Sequence, residues 1–465
     1  MQIQSKKIQK TDMTEGVIWK QLLLFFLPII FGSFFQQLYN TADAVIVGNF
    51  VGKEALAAVG GATGTFISLL IGFFTGLASG ATVMIAQYYG ANQQSALQKT
   101  IHTGVALGLA GGVVLMAVGL FLAPIVLSAM GTPADIMQDA VTYMRIYFAG
   151  VIPNLLYNIG AGILRALGDS RRPLIVLIVC CFCNIGLDVL FVLGLHMGVA
   201  GAGIATILSQ LISCICILLF LARMQEEQCR LYPARIRFDL LYLKKIVQIG
   251  LPAGLQSSMY SISNVIIQST INTFGTDTVA AWTVYGKIDC VYWMTISAFG
   301  IAITTFVGQN FGARKFDRIK RGVRVCMGMS VLATAVISIA SVVFGETVLR
   351  LFNDDPGVIA VGMRIIRTVP PLFITYNAIE ILCGALRGTG DAVRPMLMTM
   401  IGVCVLRLVW IFTVVPLRHT IETVVLSYPI TWTVTSAAFF IYYIHGGWLK
   451  RRCAAAGISQ EQISA

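Results

Sequence analysis

A few ionisable and polar side chains sit inside otherwise apolar stretches of this 465-residue chain, and their types suit the reversible binding of a small cation. Asn184 and Asp188 lie four residues apart in the run 174–195, so on a helix they share one face. Counting about 1.5 Å per residue from Pro173, Asp188 lies roughly 22 Å along, in the outer third of a membrane span. Asp43, near the outer end of the first apolar stretch, and Thr206, roughly 10 Å from the outer end of the sixth, reach a similar depth. Two carboxylates and two neutral oxygens at one level could hold a proton or a small hard cation such as sodium. The alternative is structural: Asp43 as a helix-end residue in headgroup water, Asp188 as an acid hydrogen-bonded to its neighbours.

The second half of the chain carries both signs within its apolar runs: Lys287, Asp289, Glu380 and Arg407, which sum to zero. A charge in a span costs several kcal/mol unless it is paired, neutralised or facing water. Lys287 and Asp289 are two apart and point to different faces, whereas Asp289 and Arg407 both count to near mid-depth, which predicts an interhelical ion pair. A second coupling or substrate-gating role for Glu380 or Asp289 is the other reading. The four histidines join no acid or cysteine at metal-ligand spacing, and no catalytic triad, phosphate loop or ATP motif occurs. The eleven cysteines fall mostly inside apolar runs, the CxxC-spaced Cys180 and Cys183 included, as small buried side chains do. Neither an enzyme nor a cofactor is expected, only a coupling proton or sodium ion.

These residues must be carried by elements that live in lipid. The chain is 57% hydrophobic and 12% charged, against about 25% charged in ordinary soluble domains. Runs such as 174–195 and 199–221 are long enough to cross a hydrocarbon layer, which takes about 20 residues. Spans are predicted near 18–47, 54–87, 97–123, 135–162, 173–194, 199–222, 243–270, 278–309, 320–346, 357–385, 395–416 and 422–446. The fold class is therefore an all-α membrane protein of twelve transmembrane helices. The first stretch is too long for a signal-peptide core and lacks a small-residue cleavage pattern, so it reads as a retained span.

Basic residues crowd one set of loops, among them Lys6, Lys7, Lys10, Arg171, Arg172, Lys244, Lys245, Arg314, Lys315, Arg318, Lys450, Arg451 and Arg452. The opposite loops hold only Lys53, Arg350 and Arg418. The positive-inside rule then places both termini in the cytoplasm. The same bias accounts for the net charge of +12 without nucleic acid, since the cations are scattered loop anchors rather than one patch.

The chain also repeats itself. Leu27-Pro28 recurs as Leu251-Pro252, and Phe50-Val-Gly-Lys-Glu-Ala-Leu-Ala-Ala recurs loosely as Phe274-Gly-Thr-Asp-Thr-Val-Ala-Ala. Gln87-Tyr-Tyr-Gly-Ala matches Gln309-Asn-Phe-Gly-Ala, 222 residues on, and Leu164-Arg-Ala-Leu-Gly-Asp-Ser-Arg-Arg-Pro173 matches Leu386-Arg-Gly-Thr-Gly-Asp-Ala-Val-Arg-Pro395. Each repeat holds six spans, an even number, so the two run parallel about an axis along the membrane normal, with a binding cavity expected between them. The expected layout is a tail at 1–17, a first lobe at 18–222, a charged linker at 223–242, a second lobe at 243–446 and a tail at 447–465.

The stretch Gln36-Gln-Leu-Tyr39-Asn40-Thr-Ala-Asp43-Ala-Val-Ile-Val-Gly48, followed by Gly52-x-Glu54-Ala-Leu-Ala-Ala, resembles the first-helix signature of the multidrug and toxic compound extrusion (MATE) family. So do Leu164-Arg-Ala-x-Gly168-Asp-Ser-x-x-Pro173 and its partner at 386–395. The resemblance covers about residues 15–445. It implies a V-shaped pair of six-helix lobes alternating between inward-open and outward-open states, and an ion site like that of the branch with first-lobe acids: Asp43, Asn184, Asp188 and Thr206 here. It also implies a first-helix bend at a proline, matched by Pro28. The other branch relies on an acid in the seventh helix, and residues 251–268 contain none.

The expected function is secondary antiport: export of bulky amphipathic organic cations or drugs in exchange for protons or sodium. By the resemblance, the substrate meets Gln36, Tyr39, Asn40, Tyr157, Tyr260 and Trp282, whose aromatic members could stack on a cation. Each aromatic could equally be ordinary helix packing. The expected setting is the bacterial inner membrane, as a monomer in the lipid bilayer. A flippase of lipid-linked sugars is the rival, though it would want a strongly cationic cavity.

Overall fold

A backbone N–H or C=O left unpaired in lipid costs several kcal/mol, so a chain this apolar is driven into helices. The computed structural model of the chain describes residues 12–458. Lys6, Lys7 and Lys10 of the basic N-terminal tail lie outside the described residues, as do the last seven residues of the C-terminal tail. Among the described residues there is no strand.

Twelve helical spans follow in order. The first bundle holds α1 (Ile18–Phe50), α2 (Lys53–Gly90), α3 (Gln94–Ala129), α4 (Ala134–Ala149 with Val151–Ala166), α5 (Arg171–Gly194) and α6 (Gly198–Ala222). The second repeats it with α7 (Leu240–Asn272), α8 (Thr276–Gly312), α9 (Phe316–Phe352), α10 (Pro356–Leu372 with Ile374–Gly388), α11 (Val393–Thr413) and α12 (Ile421–His445). A short helix, α13 (Trp448–Ala455), closes the described chain. The architecture is the predicted one: an all-α membrane protein with two parallel six-helix repeats.

Helix ends follow local sequence. Asp239 caps α7 by accepting from Leu241 N at 3.2 Å, and Asp355 caps α10 by accepting from Gly357 N at 2.7 Å, with Pro356 at the first helical position. Asp169 accepts from Arg171 N and Arg172 N at 3.1 Å each, starting α5 one turn after α4 ends.

Three local features were not anticipated. α4 bends by 50° at Gly150, and α10 bends by 48° next to Pro370 and Pro371, which withdraw two backbone donors in succession. By contrast α1 runs through Pro28 as one continuous helix, Ile18–Phe50, with the proline inside it. Third, α7 alone among the twelve is too polar to qualify as a span by hydropathy. Gln256, Ser257, Ser258, Ser261, Ser263, Asn264 and Gln268 interrupt its apolar run.

That polarity is tolerated because α7 packs along α2 of the other bundle rather than facing lipid all round. Gly76 lies so close to Gly254 that a Cβ at Gly76 would meet the Gly254 Cα at 2.6 Å, the close backbone approach that small residues permit between membrane helices. The approach runs from residues 72 and 257, about halfway along both helices, to residues 80 and 246, toward the end of the molecule that carries the basic loops. The side-chain hydrogen bonds that join the two bundles among the described residues lie at this basic face too. The bundles are therefore joined at one end, as in a V.

The segments leading into α1 and α7 are tied down there in parallel fashion. Arg318 of α9 donates to the carbonyls of Met13, Glu15 and Gly16 at 3.2, 2.6 and 2.8 Å, and Asn310 donates to Met13 O at 2.9 Å. Met13 itself is fully buried. On the other side, the linker before α7 docks on α3: Tyr232 N donates to His102 Nε2 at 3.1 Å and Asp239 N to Thr103 Oγ1 at 3.3 Å. Each bundle's first helix is thus led in by a strap fastened to the opposite half.

Candidate functional site

In the first bundle, α1, α5 and α6 bring Asp43, Asn184, Asp188 and Thr206 into one interior. Asp188 and Asn184 are 0% exposed and Thr206 is 7% exposed. Asp43 and Asp188 lie within electrostatic reach of each other, and the Tyr143 phenol is within reach of both. The phenol of Tyr39 accepts from Gln210 Nε2 at 3.4 Å and borders the same interior.

This cluster gathers several buried polar atoms without partners, as Arg407 Nε in the second bundle also is. Both carboxylate oxygens of Asp188, both amide atoms of Asn184 and Oδ1 of Asp43 are buried with no hydrogen-bond partner in the protein. Native interiors satisfy nearly all such atoms, and each orphan costs about 1–3 kcal/mol. Thr206 donates its hydroxyl hydrogen to Ala202 O at 3.0 Å, which leaves its oxygen free to accept or ligate. Hard oxygen donors of this kind fit a proton or a sodium ion: Asp43 and Asp188 supply charge, and Asn184 and Thr206 supply neutral oxygens. Asp188 is also the last α-helical residue of α5, followed by a π-helical turn, Val189–Gly194, a geometry frequent at functional sites.

The second bundle treats its charges differently. Asp289 accepts from Trp293 Nε1 at 2.7 Å and from Tyr285 OH at 3.2 Å, both one turn away on α8. Arg407, 2% exposed, places its guanidinium 4.1 Å from the Tyr428 ring centre and donates to Thr431 Oγ1 at 3.4 Å. The predicted Asp289–Arg407 ion pair is not formed. Each group found an aromatic partner first, and Tyr428, on which Arg407 stacks, lines the same small cavity as Asp289. Nor do Lys287, Asp289, Glu380 and Arg407 make a direct network: Lys287 is exposed, and Glu380 accepts from Tyr376 OH at 3.4 Å, whose own phenol meets Tyr260 OH at 3.2 Å. The cation that Glu380 faces is Arg387, from the repeated Leu-Arg-Gly motif. Tyr285-Asp289-Trp293 and Tyr376-Glu380 were readable as i, i+4 neighbours, a signal that counting charges by depth overlooks.

The six expected substrate contacts divide between two interiors. Tyr39 and Tyr157 are buried in the first bundle, and Tyr260 and Trp282 pack in the second, Trp282 against Tyr285 and Tyr428. Gln36 and Asn40 are exposed on one face of α1.

A duplicated pair of six-helix bundles joined at one end, with uncompensated acids inside one of them, defines a polytopic membrane transporter rather than an enzyme. The MatE family profile matches residues 28–190 and 252–413, one stretch in each bundle, and the chain belongs to this family, the MATE transporters. It is 28% identical over 438 residues to the probable multidrug resistance protein YpnP of Bacillus subtilis, covering 94% of this chain and 97% of that one. It is 27% identical over 405 residues to the probable multidrug resistance protein NorM of Thermotoga maritima, covering 86% of each. Among solved structures, the fold matches a MOP superfamily transporter from Pyrococcus furiosus with a TM-score of 0.88 at 23% identity, covering 96% of this chain and 98% of that chain. An outward-facing multidrug resistance MATE transporter matches with a TM-score of 0.87, also at 23% identity and the same coverage.

Proposed function

We propose that this protein is an antiporter that exports amphipathic organic cations or drugs in exchange for protons or sodium ions, acting as a monomer in a bacterial inner membrane with its basic face in the cytoplasm. The positive-inside rule supports that orientation. With the bundles joined at the basic face, the structure then corresponds to the outward-facing state. Its relatives carry the name of probable multidrug resistance proteins, which supports the substrate class.

The observation that carries the reading is the set of buried, unpartnered atoms on Asp43, Asn184 and Asp188. A group of this kind is costly when empty and is relieved by a cation, so ion binding from outside changes the energy of the first bundle. Exporting a monovalent cation up a tenfold gradient against about 100 mV costs roughly 3.7 kcal/mol, and one proton entering down about 100 mV and one pH unit returns the same amount. One ion is just sufficient, and two acids give room for a second charge.

The test is efflux of a fluorescent lipophilic cation from pump-deficient cells or proteoliposomes under imposed proton or sodium gradients, comparing wild type with Asp188→Asn at equal membrane levels. Ion-driven efflux by the wild type alone is expected. Equal efflux by both would remove the site from the mechanism, and efflux by neither would remove the substrate class.

A further inference from the structure

The repeated loop motifs Gln87-Tyr-Tyr-Gly90 with Gln309-Asn-Phe-Gly312, and Leu164-Arg-Ala166 with Leu386-Arg-Gly388, take no part in the ion site. In the structure they meet each other across the two bundles. Gln87 Nε2 at the end of α2 donates to Gly388 O at the end of α10, at 2.8 Å. Gln309 Nε2 at the end of α8 donates to Ala166 O at the end of α4, at 2.7 Å. The two bonds are related by the internal repeat, since 87 and 309 are separated by the same 222 residues as 166 and 388.

The acceptors are set by helix physics. The last four carbonyls of a helix have no partner within it. At the end of α4, Ile163 O, Leu164 O and Arg165 O accept from Leu167 N, Asp169 N and Gly168 N within the turn, and Ala166 O is the one left over. At the end of α10, Ala385 O, Leu386 O and Arg387 O accept from Thr389 N, Asp391 N and Gly390 N, and Gly388 O is left over. Each leftover carbonyl is taken by the glutamine of the opposite bundle. The approach requires glycine at the partner positions: a Cβ at Gly90 would overlap the Gln309 carbonyl, and a Cβ at Gly312 would overlap the Gln87 carbonyl.

We infer that Gln87 and Gln309, with Gly90 and Gly312, form a two-fold latch that holds the bundles together at the basic face, and that transport requires both hydrogen bonds to open and close. As positioning residues they touch neither the ion site nor the expected substrate contacts. Because donors and acceptors are neutral, the latch is indifferent to the charge on Asp43 and Asp188. Its opening is inexpensive, since a recess of about 1230 Å³ beside it, lined by Gln87, Gly312, Lys245 and Arg452 among others, supplies water to the released carbonyls. The two halves are not equal: Gln309 Oε1 is buried without a partner, so the Gln309 bond contributes less net stability than the Gln87 bond.

The inference rests on the transport reading only for its consequence, and its primary test reads conformation rather than efflux. In a background with the native cysteines replaced, Ala86→Cys and Gly308→Cys would face each other across the latch, since a Cβ at Gly308 lies 2.9 Å from the Ala86 Cβ, within small adjustment of disulfide geometry. Oxidation is expected to link the halves, so that cleavage of the linker between α6 and α7 leaves one band without reductant and two with it, and to stop substrate exchange until reductant is added. Failure of the link to form, or full exchange by linked protein, would overturn the latch. Independently, spin labels at Ser95→Cys and Asp317→Cys report the separation of the two bundles at this face. Gln87→Leu is expected to shift the population toward longer distances about fivefold, Gln309→Leu by less, and the double variant by the most. An unchanged distance distribution in the double variant would refute the proposal.

Discussion

In the first bundle, Asp43, Asn184 and Asp188 keep buried polar atoms with no protein partner, whereas in the second bundle Asp289 takes two hydrogen bonds from its own helix and Arg407 rests on a tyrosine ring. Both bundles carry charge in the membrane, and both descend from one repeated unit. The difference teaches that charge within a span does not by itself single out a candidate site; charge left without compensation does. Aromatic residues compensate the second bundle at fixed positions. In the first bundle no protein group among the described residues fills that role for these atoms.

The comparison can be broken most decisively at Asp188. Asp188→Asn is expected to weaken the coupling ion by about 1.5–3 kcal/mol, roughly 10- to 100-fold, and to reduce ion-driven exchange toward background, measured in proteoliposomes with an imposed gradient. Asp289 should behave in the opposite manner. Asp289→Leu orphans Trp293 Nε1 and should cost about 1–3 kcal/mol of stability in a thermal unfolding assay, while Asp289→Asn keeps an acceptor and retains most of the exchange. Loss of all exchange in Asp289→Asn, with normal stability, would erase the contrast between the bundles.

Arg407→Lys gives a smaller effect. Replacing the planar guanidinium over Tyr428 removes a stacked cation–π contact worth about 0.5–2 kcal/mol, and melting in detergent should fall without any change in ion dependence. Thr206→Val is the finest probe: one neutral oxygen lost from the first-bundle site should weaken the ion about fivefold, read as a parallel rise in the gradient needed for half-maximal exchange. A change in Arg407→Lys ion dependence as large as that in Thr206→Val would place the second bundle back in the coupling path.

Much of this was legible in the residues. The twelve spans came from run length and hydropathy, the duplication from loop motifs that apolar helices would not reproduce by chance, and the first-bundle spot from the four-residue spacing of Asn184 and Asp188 with depth counting. α7 was placed at 243–270 with the other spans even though its own composition argues against a span, and its Leu251-Pro252 matches Leu27-Pro28 of α1. What failed has one cause. Depth along a helix fixes the level of a side chain but not its direction around the axis, so Asp289 and Arg407 were matched by level while Trp293 and Tyr428 occupied the directions that mattered. The contact between the repeated motifs depends on how separate helices meet, which no single run of sequence encodes, whereas the bend in α10 had a local signal in Pro370 and Pro371.

The strap at residues 13–16 has a consequence for how the molecule is made. Its main fasteners, Asn310 and Arg318, lie 297 and 305 residues downstream of Met13. A ribosome must therefore deliver about two-thirds of the protein before its first helix can be moored, and a chain cut short before Asn310 leaves Met13 without a berth. The first helix is thus moored late in synthesis, by the second and third helices of the other half, although it is made first.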